Sequence, residues 1–327
     1  MSDETEYIKS GGGRKNPIIH ESIVDLDGIG ERIDHYLGRR FTYHSRTEWQ
    51  SIIEQGVVRL NGIIPKSRQR LKKGDRVVYQ IHDLIEPVVD KRVRILYDDG
   101  DIIACNKPAD LPVIPSGKYH HNTLYGIMCK KLKLSPRLVN RIDRETSGIV
   151  LMARTEQGAR LMQNIIATGK IHKIYAVIVK GEVKRKSFIV RGNIGRVQDP
   201  QYRMMQAFTP EGKYSRTDFR LVAQKNGYAL LLCRIHTGRT HQIRVHLREE
   251  GLSVVGDKVY GAKGAEIFQM FLKEGNSDNV LREVDLPRQA LHAFKLCFIH
   301  PKTGERLVIK APLPKDMREF AKAKGLL

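Results

Sequence analysis

The run Leu138-Val139-Asn140-Arg141-Ile142-Asp143-Arg144-Glu145-Thr146-Ser147-Gly148-Ile149-Val150-Leu151 decides how the rest of the chain is read. Two short apolar, β-branched runs bracket a charged turn, with Asp143 at its centre between Arg141 and Arg144. Thr146, Ser147 and Gly148 suit a tight bend entering a buried strand. Cations on either side favour the charged form of a carboxylate, and an apolar strand behind it holds it still. Such a carboxylate can serve as a nucleophile or base. The same residues also suit a solvated salt-bridge turn, and this stretch alone leaves both readings open.

Working outward, the chain has 327 residues, enough for two domains and a sizeable core. Lys and Arg total 57 against 36 Asp and Glu, a net charge of +21. A balance that basic points to a polyanionic partner, with nucleic acid favoured over a membrane surface. No stretch approaches the ~18 consecutive apolar residues a membrane span needs. Residues 1–16 are polar, and acidic before Gly11-Gly12-Gly13, which is not the pattern of a secretory signal. Cys105, Cys129, Cys233 and Cys297 lie far apart with no Cys-x-x-Cys pair, and read as reduced core residues of a cytoplasmic protein.

Residues 1–27 show little periodicity and read as a flexible tail. From Gly28 the texture changes. Ile33, Leu37 and Phe41 recur at helical spacing. Ser45 with Glu48 makes a capping box for a second helix that Gly56 closes. A strand at residues 57–60, an Asn61-Gly62 turn, a Lys73-Gly74-Asp75 turn and a strand at residues 77–79 complete a small unit, 28–84. Between Arg32 and Arg76 there are 11 basic and 4 acidic residues, a local +7. Arg39, Arg40, Arg46, Lys66, Arg68, Arg70, Lys72 and Lys73 are its candidate phosphate contacts, against the alternative of a solvated basic face. Residues 85–91 read as a linker, and 92–327 as the larger domain.

That domain opens with a strand, an Asp-Asp-Gly-Asp turn at residues 98–101, and a second strand ending in Asn106-Lys107-Pro108. Helices are expected at residues 122–133 and 157–168, the latter with Leu161, Ile165 and Ile166 inward. Residues 171–181 alternate and then run apolar, as a buried strand should. Residues 191–216, rich in Gly, Arg and Gln, read as a loop-dominated flap. Strands are expected at residues 218–221 and 228–234. The residues around Arg244 read as another, with Arg244 partly buried between Ile243, Val245 and Leu247. A partly buried arginine needs an anionic partner.

Several chemistries are excluded by their own requirements. No Gly-x-x-x-x-Gly-Lys-Ser/Thr loop is present for a nucleotide. No His with Cys-x-x-Cys is present for a zinc deaminase. His236, His241 and His246 recur every five residues, but on a strand they alternate faces, and no further ligand joins them. A glycosidase-type pair would need a second carboxylate, and Glu145, flanked by arginine, reads as a salt-bridge partner.

Arg141-x-Asp143-x-x-Thr146-Ser147-Gly148 ahead of a strand resembles the catalytic loop of the RluA family of RNA pseudouridine synthases. Asn106-Lys107-Pro108, Lys173-x-Tyr175 and residues 237–247 resemble that family's other motifs, in the family's order. Residues 256–261, 288–293 and 311–317 resemble the closing segments of members that act on large-subunit ribosomal RNA. The small basic unit resembles an RNA-binding module first seen in a ribosomal small-subunit protein. The similarity covers roughly residues 28–318. Where the family usually has histidine and leucine, this chain has Asn140 and Ile142.

The resemblance implies an α+β fold. A mixed, mostly antiparallel sheet would carry helices outside and an active cleft between its two halves, with a small α/β RNA-binding module attached. It implies isomerisation of uridine in RNA to pseudouridine, with no cofactor and no metal. Asp143 would be the catalytic carboxylate. Tyr175 would stack on the flipped base, Arg244 would pair with the aspartate, and Arg141 would act at the flipping step. The expected partner is RNA, met by a monomer with no membrane. Ribosomal RNA is favoured over transfer RNA, although His120-His121-Asn122-Thr123 looks more like members acting on the transfer RNA anticodon arm. A non-catalytic RNA-binding protein on the same fold is the alternative from another class.

Overall fold

The computed structural model describes residues 7–8, 18–41, 44–81, 86–117, 119–198, 205–261 and 263–327. The described residues form two compact units: those within Thr5–Val88 together with Pro115–His121, and Val89–Ile114 together with Asn122–Leu327.

The smaller unit contains β1 (Tyr7–Ile8), β2 (Ile18–Ile23), α1 (Ile33–Arg40), α2 (Arg46–Glu54), β3 (Val58–Leu60), β4 (Arg76–Ile81) and β5 (Glu86–Pro87). Ser45 caps α2 by accepting from the Glu48 N–H, while the Glu48 carboxylate accepts from the Ser45 N–H at 2.6 Å. Asn61 and Gly62, at φ 51° and 86°, make the hairpin turn after β3, the conformation that favours Asn-Gly. Ile33, Tyr36 and Leu37 of α1 pack with Trp49 and Ile53 of α2 onto Val58, Val77 and Tyr79.

The flexible tail expected over residues 1–27 requires correction from residue 18 onward, because β2 pairs antiparallel with β4 along its whole length, while residues 1–6 and 9–17 lie outside the described residues. Ser22 and Val24 point inward while Ile19 and Ile23 face solvent. The apolar pattern is therefore out of phase with the buried face, and alternation could not flag the strand. The linker expected over residues 85–91 is also partly structured. β5 pairs with β1, and the buried Glu86 accepts from the N–H groups of His120 and His121. That contact puts residues 115–121 with the smaller unit, although they were expected within the larger domain.

The larger unit contains β6 (Arg94–Asp98), β7 (Ile102–Lys107), α3 (Leu124–Leu132), β8 (Arg137–Leu138), β9 (Ser147–Ala153) and α4 (Glu156–Ala167). These lead into β10 (Ile171–Lys180), β11 (Ser187–Arg196), β12 (Gln206–Phe208), β13 (Lys213–Lys225) and β14 (Tyr228–Ile235). The chain closes with α5 (Gln242–Glu249), β15 (Ser253–Val254), α6 (Gly264–Glu274), α7 (Asp278–Val284), β16 (Leu291–Ile299), β17 (Arg306–Lys310) and α8 (Lys315–Ala323). One mixed sheet runs β12-β11-β13-β14-β10-β16-β9-β7-β6 and is antiparallel except where β16 meets β9. That parallel junction joins two antiparallel halves. Gly148 sits there at φ 108°, and a Cβ on it would lie 2.4 Å from the Ala293 carbonyl oxygen, so only glycine fits.

Two further expectations give way. Among the described residues of the range 191–216, those at 191–196, 206–208 and 213–216 are strand, with β11 and β13 paired from Ser187↔Arg220 to Ile194↔Lys213, and residues 199–204 lie outside the described residues. Gly192, which suggested a loop, makes room for Phe208, whose ring would lie 2.5 Å from an added Cβ. Gln242–Glu249 is a helix where a strand was expected. Its residues 242–247 are all buried, so their alternation marks no solvent face. In α4, Met162 and Ile165 are buried, while Leu161 and Ile166 are half-buried.

Candidate active site

A cavity of about 310 Å³ opens where the two sheet halves meet. Asp143, Arg141 and Asn140 line it from the loop before β9, Lys173 and Tyr175 from β10, and His241 and Arg244 from the start of α5. A bulge between Ile174 and Tyr175, in the pairing of β10 with β16, adjusts the aim of the tyrosine. His241 and Arg244 share a helical face at a spacing of three, which a strand would have split. Asp143 and Arg244, 101 residues apart in sequence, thus converge only through the sheet.

The loop that carries Asp143 is gripped from behind. Its Thr146 N–H donates to the Asp143 carbonyl at 3.2 Å, closing the turn. Lys107, fully buried, donates to the carbonyls of Arg144, Pro108 and Leu111 at 2.8, 2.8 and 2.7 Å. Burial pushes its ammonium down to about 7, while three carbonyls give each of its protons an acceptor. Glu145 accepts from Lys258 Nζ at 3.3 Å and from the Gln289 N–H at 3.1 Å, so it is a salt-bridge partner. Arg288 donates to the Glu145 carbonyl and holds Asp316 with two nitrogens. Asn140 Oδ1 accepts from the Leu151 N–H at 2.7 Å, tying the loop to the strand that follows it.

Arg244 lies 3.5 Å from Asp143, Nη1 to Oδ2, but its main partner is Asp257, which sequence reasoning missed. The side chain of Asp143 is 32% exposed, whereas that of Asp257 is fully buried. Burial alone would raise the Asp257 carboxyl, but the Arg244 charge and the N–H groups of Val259 and Tyr260 outweigh it and hold it low. His241 approaches Asp143 at 3.9 Å through Nε2, and its Nδ1 meets the Tyr260 hydroxyl at 2.8 Å. Burial, then the charge of Arg244, push His241 down to about 4, so it is neutral at pH 7. Tyr175 is buried, and burial pushes its phenol up, leaving it a neutral apolar plate.

His236, His241 and His246 go to different partners, with His236 on Asp218 and His246 on Ser215. Among the described residues no group of three metal-ligating side chains is gathered. Of the phosphate-contact candidates, Arg39 is engaged with Glu31 at 2.7 Å, Arg70 with the Gly30 carbonyl at 2.7 Å, and Arg46 with Asp34 at 3.2 Å. Burial would raise Asp34, but donors from Gln50, Arg32 and Arg46 bring it down to about 2. Arg40, Lys66, Arg68, Lys72 and Lys73 are exposed on the same unit.

Residues 101–249 match the family model for RNA pseudouridylate synthase. An uncharacterized RNA pseudouridine synthase of Bacillus subtilis is 31% identical over 304 residues, covering 89% of this chain and 93% of the relative. A protein of Xanthomonas campestris named ribosomal large subunit pseudouridine synthase D is 30% identical over 319 residues, covering 93% and 92%. The solved structure of human RNA pseudouridylate synthase domain containing 4 superposes with a TM-score of 0.55 at 22% identity, over 70% of this chain and 91% of that one. Fold and sequence together define an RNA pseudouridine synthase, an isomerase. Within that class the chain belongs to the RluA family.

Proposed function

We propose that the protein converts a specific uridine of large-subunit ribosomal RNA to pseudouridine, with Asp143 as the catalytic carboxylate. The observation that carries this reading is the position of Asp143, its carboxylate turned into a cavity between Arg244 and the plate of Tyr175. The reaction breaks the bond from uracil N1 to ribose C1′, turns the base over and rebonds it through C5. The C5 proton leaves and N1 gains one, so substrate and product are isomers. Positive charge builds at C1′ as the first bond breaks, and a fixed carboxylate stabilises it. Tyr175 offers the detached base an apolar surface, and Arg141, exposed at the cavity mouth, reaches the RNA that the target nucleotide leaves.

Ribosomal RNA is favoured by the names of relatives in Xanthomonas campestris and Nitrosomonas europaea, both ribosomal large subunit pseudouridine synthase D. The exposed cations of the smaller unit supply a second point of contact through phosphates. Carbodiimide primer-extension mapping of total RNA, from cells with and without the gene, tests both parts. Loss of a site in large-subunit ribosomal RNA is the expected result. Loss only in transfer RNA overturns the substrate, and no lost site anywhere overturns the activity.

A further inference from the structure

The turn Gly256–Gly261 contributes no residue to the reacting carboxylate, yet it supports the two side chains that face Asp143, His241 at the N-cap of α5 and Arg244 within it. Asp257 takes the Nε and Nη2 edge of Arg244 at 2.6 and 2.9 Å. Its Oδ1 also accepts the N–H groups of Val259 and Tyr260 at 2.9 and 3.1 Å, which fixes the carboxylate itself. The Arg244 guanidinium carbon lies 4.7 Å from the centroid of the Tyr260 ring. The Tyr260 hydroxyl accepts from the Gln206 N–H at 2.7 Å, which leaves its own proton for His241 Nδ1 at 2.8 Å. That proton fixes the neutral tautomer with N–H on Nε2, the nitrogen turned to Asp143.

We propose that Asp257 is a positioning residue for the isomerisation: it occupies the two-nitrogen edge of Arg244 and cancels its charge. Only Nη1 then remains to orient Asp143. A guanidinium that turned its bidentate edge to Asp143 would pin the carboxylate and neutralise it. The observed single 3.5 Å contact gives direction while leaving the carboxylate uncompensated and partly solvent-facing. The inference rests on the reading of Asp143 as the catalytic carboxylate.

Asp257→Asn and Asp257→Glu test it, beside Asp143→Asn, on a transcribed ribosomal RNA fragment carrying the uridine found by deletion mapping. The expected result is a fall in kcat of about 10–100-fold for Asp257→Asn with KM within about twofold, and recovery of at least about tenfold of that loss by Asp257→Glu, which restores the charge. A folded Asp257→Asn with wild-type kcat, or one that changes only KM, overturns the inference. So does an Asp257→Glu no better than Asp257→Asn, since charge would then not matter. Failure of both variants to fold also overturns it, by making Asp257 a folding residue. An active Asp143→Asn sinks the underlying assignment instead, whatever Asp257 does.

Discussion

Arg244 holds Asp257 with two nitrogens, at 2.6 and 2.9 Å, and reaches Asp143 with one, at 3.5 Å. One cation thus meets two carboxylates in different settings. The fully buried one takes the two-nitrogen edge of the guanidinium, and the half-buried one meets a single nitrogen. A buried arginine needs such a partner, because the charge is costly to desolvate unless paired and fully hydrogen-bonded.

Replacing Asp143 by asparagine keeps the shape of the loop and removes its charge. Pseudouridine formation should fall by at least about a thousandfold, ~4 kcal/mol of barrier, while RNA affinity stays within about threefold. Tritium release from uridine C5 and filter binding measure the two quantities separately. Turnover within about tenfold of wild type would remove Asp143 from its role.

Arg244→Ala leaves the buried Asp257, rather than Asp143, without its cation. Stability should drop by roughly 3–5 kcal/mol together with activity. Adding Asp257→Asn to Arg244→Ala should recover part of the lost stability and none of the activity. Calorimetry on both variants checks this, and equal melting temperatures would show that Asp257 had no stake in the pair.

Lys107→Met strips three carbonyls of a shared donor, among them that of Arg144 beside the candidate carboxylate. The expected cost is roughly 2–4 kcal/mol, read as a lower urea midpoint at an unchanged m-value. A midpoint equal to that of the wild type would mean that water takes over from the ammonium.

His292 is held neutral in the core, its Nδ1 meeting the Ser147 hydroxyl at 2.9 Å and its Nε2 the Ala311 carbonyl at 3.3 Å. Burial pushes it down to about 4, below its ordinary 6.5. Between those values the unfolded chain binds the proton and the folded chain does not, so stability falls as pH drops from about 6.5 toward 4. His246, likewise pushed down to about 4 by burial, adds to the same window. Melting temperature against pH should slope down there, and His292→Asn should make the slope shallower. An unchanged slope would exclude His292 as a contributor.

Arg68, Lys72 and Lys73 are exposed on the smaller unit. If each meets a phosphate, replacing all three by serine should reduce the slope of log K against log salt concentration by roughly 2–3. A slope equal to that of wild type would leave those side chains as a solvated face.

The sequence determined whatever depends on residues a few positions apart. The Ser45–Glu48 capping box, the Asn61-Gly62 turn and the Asp143 turn are fixed by short-range hydrogen bonds and allowed backbone angles, and each stands where its residues put it. The mostly antiparallel α+β fold was legible because its motifs come in a set order. Tertiary structure alone decided which groups meet across long separations. Asp143 and Arg244 stand 101 residues apart and Lys107 and Arg144 stand 37 apart, so no local pattern encodes their contacts. It also decided which faces are covered. Gln242–Leu247 alternates like a strand but lies buried as a helix, and β2 turns Ser22 inward and Ile19 and Ile23 out. Gln242–Leu247 has no face on water for its alternation to mark, and β2 carries isoleucines on its solvent face, so in neither segment does the apolar pattern report burial.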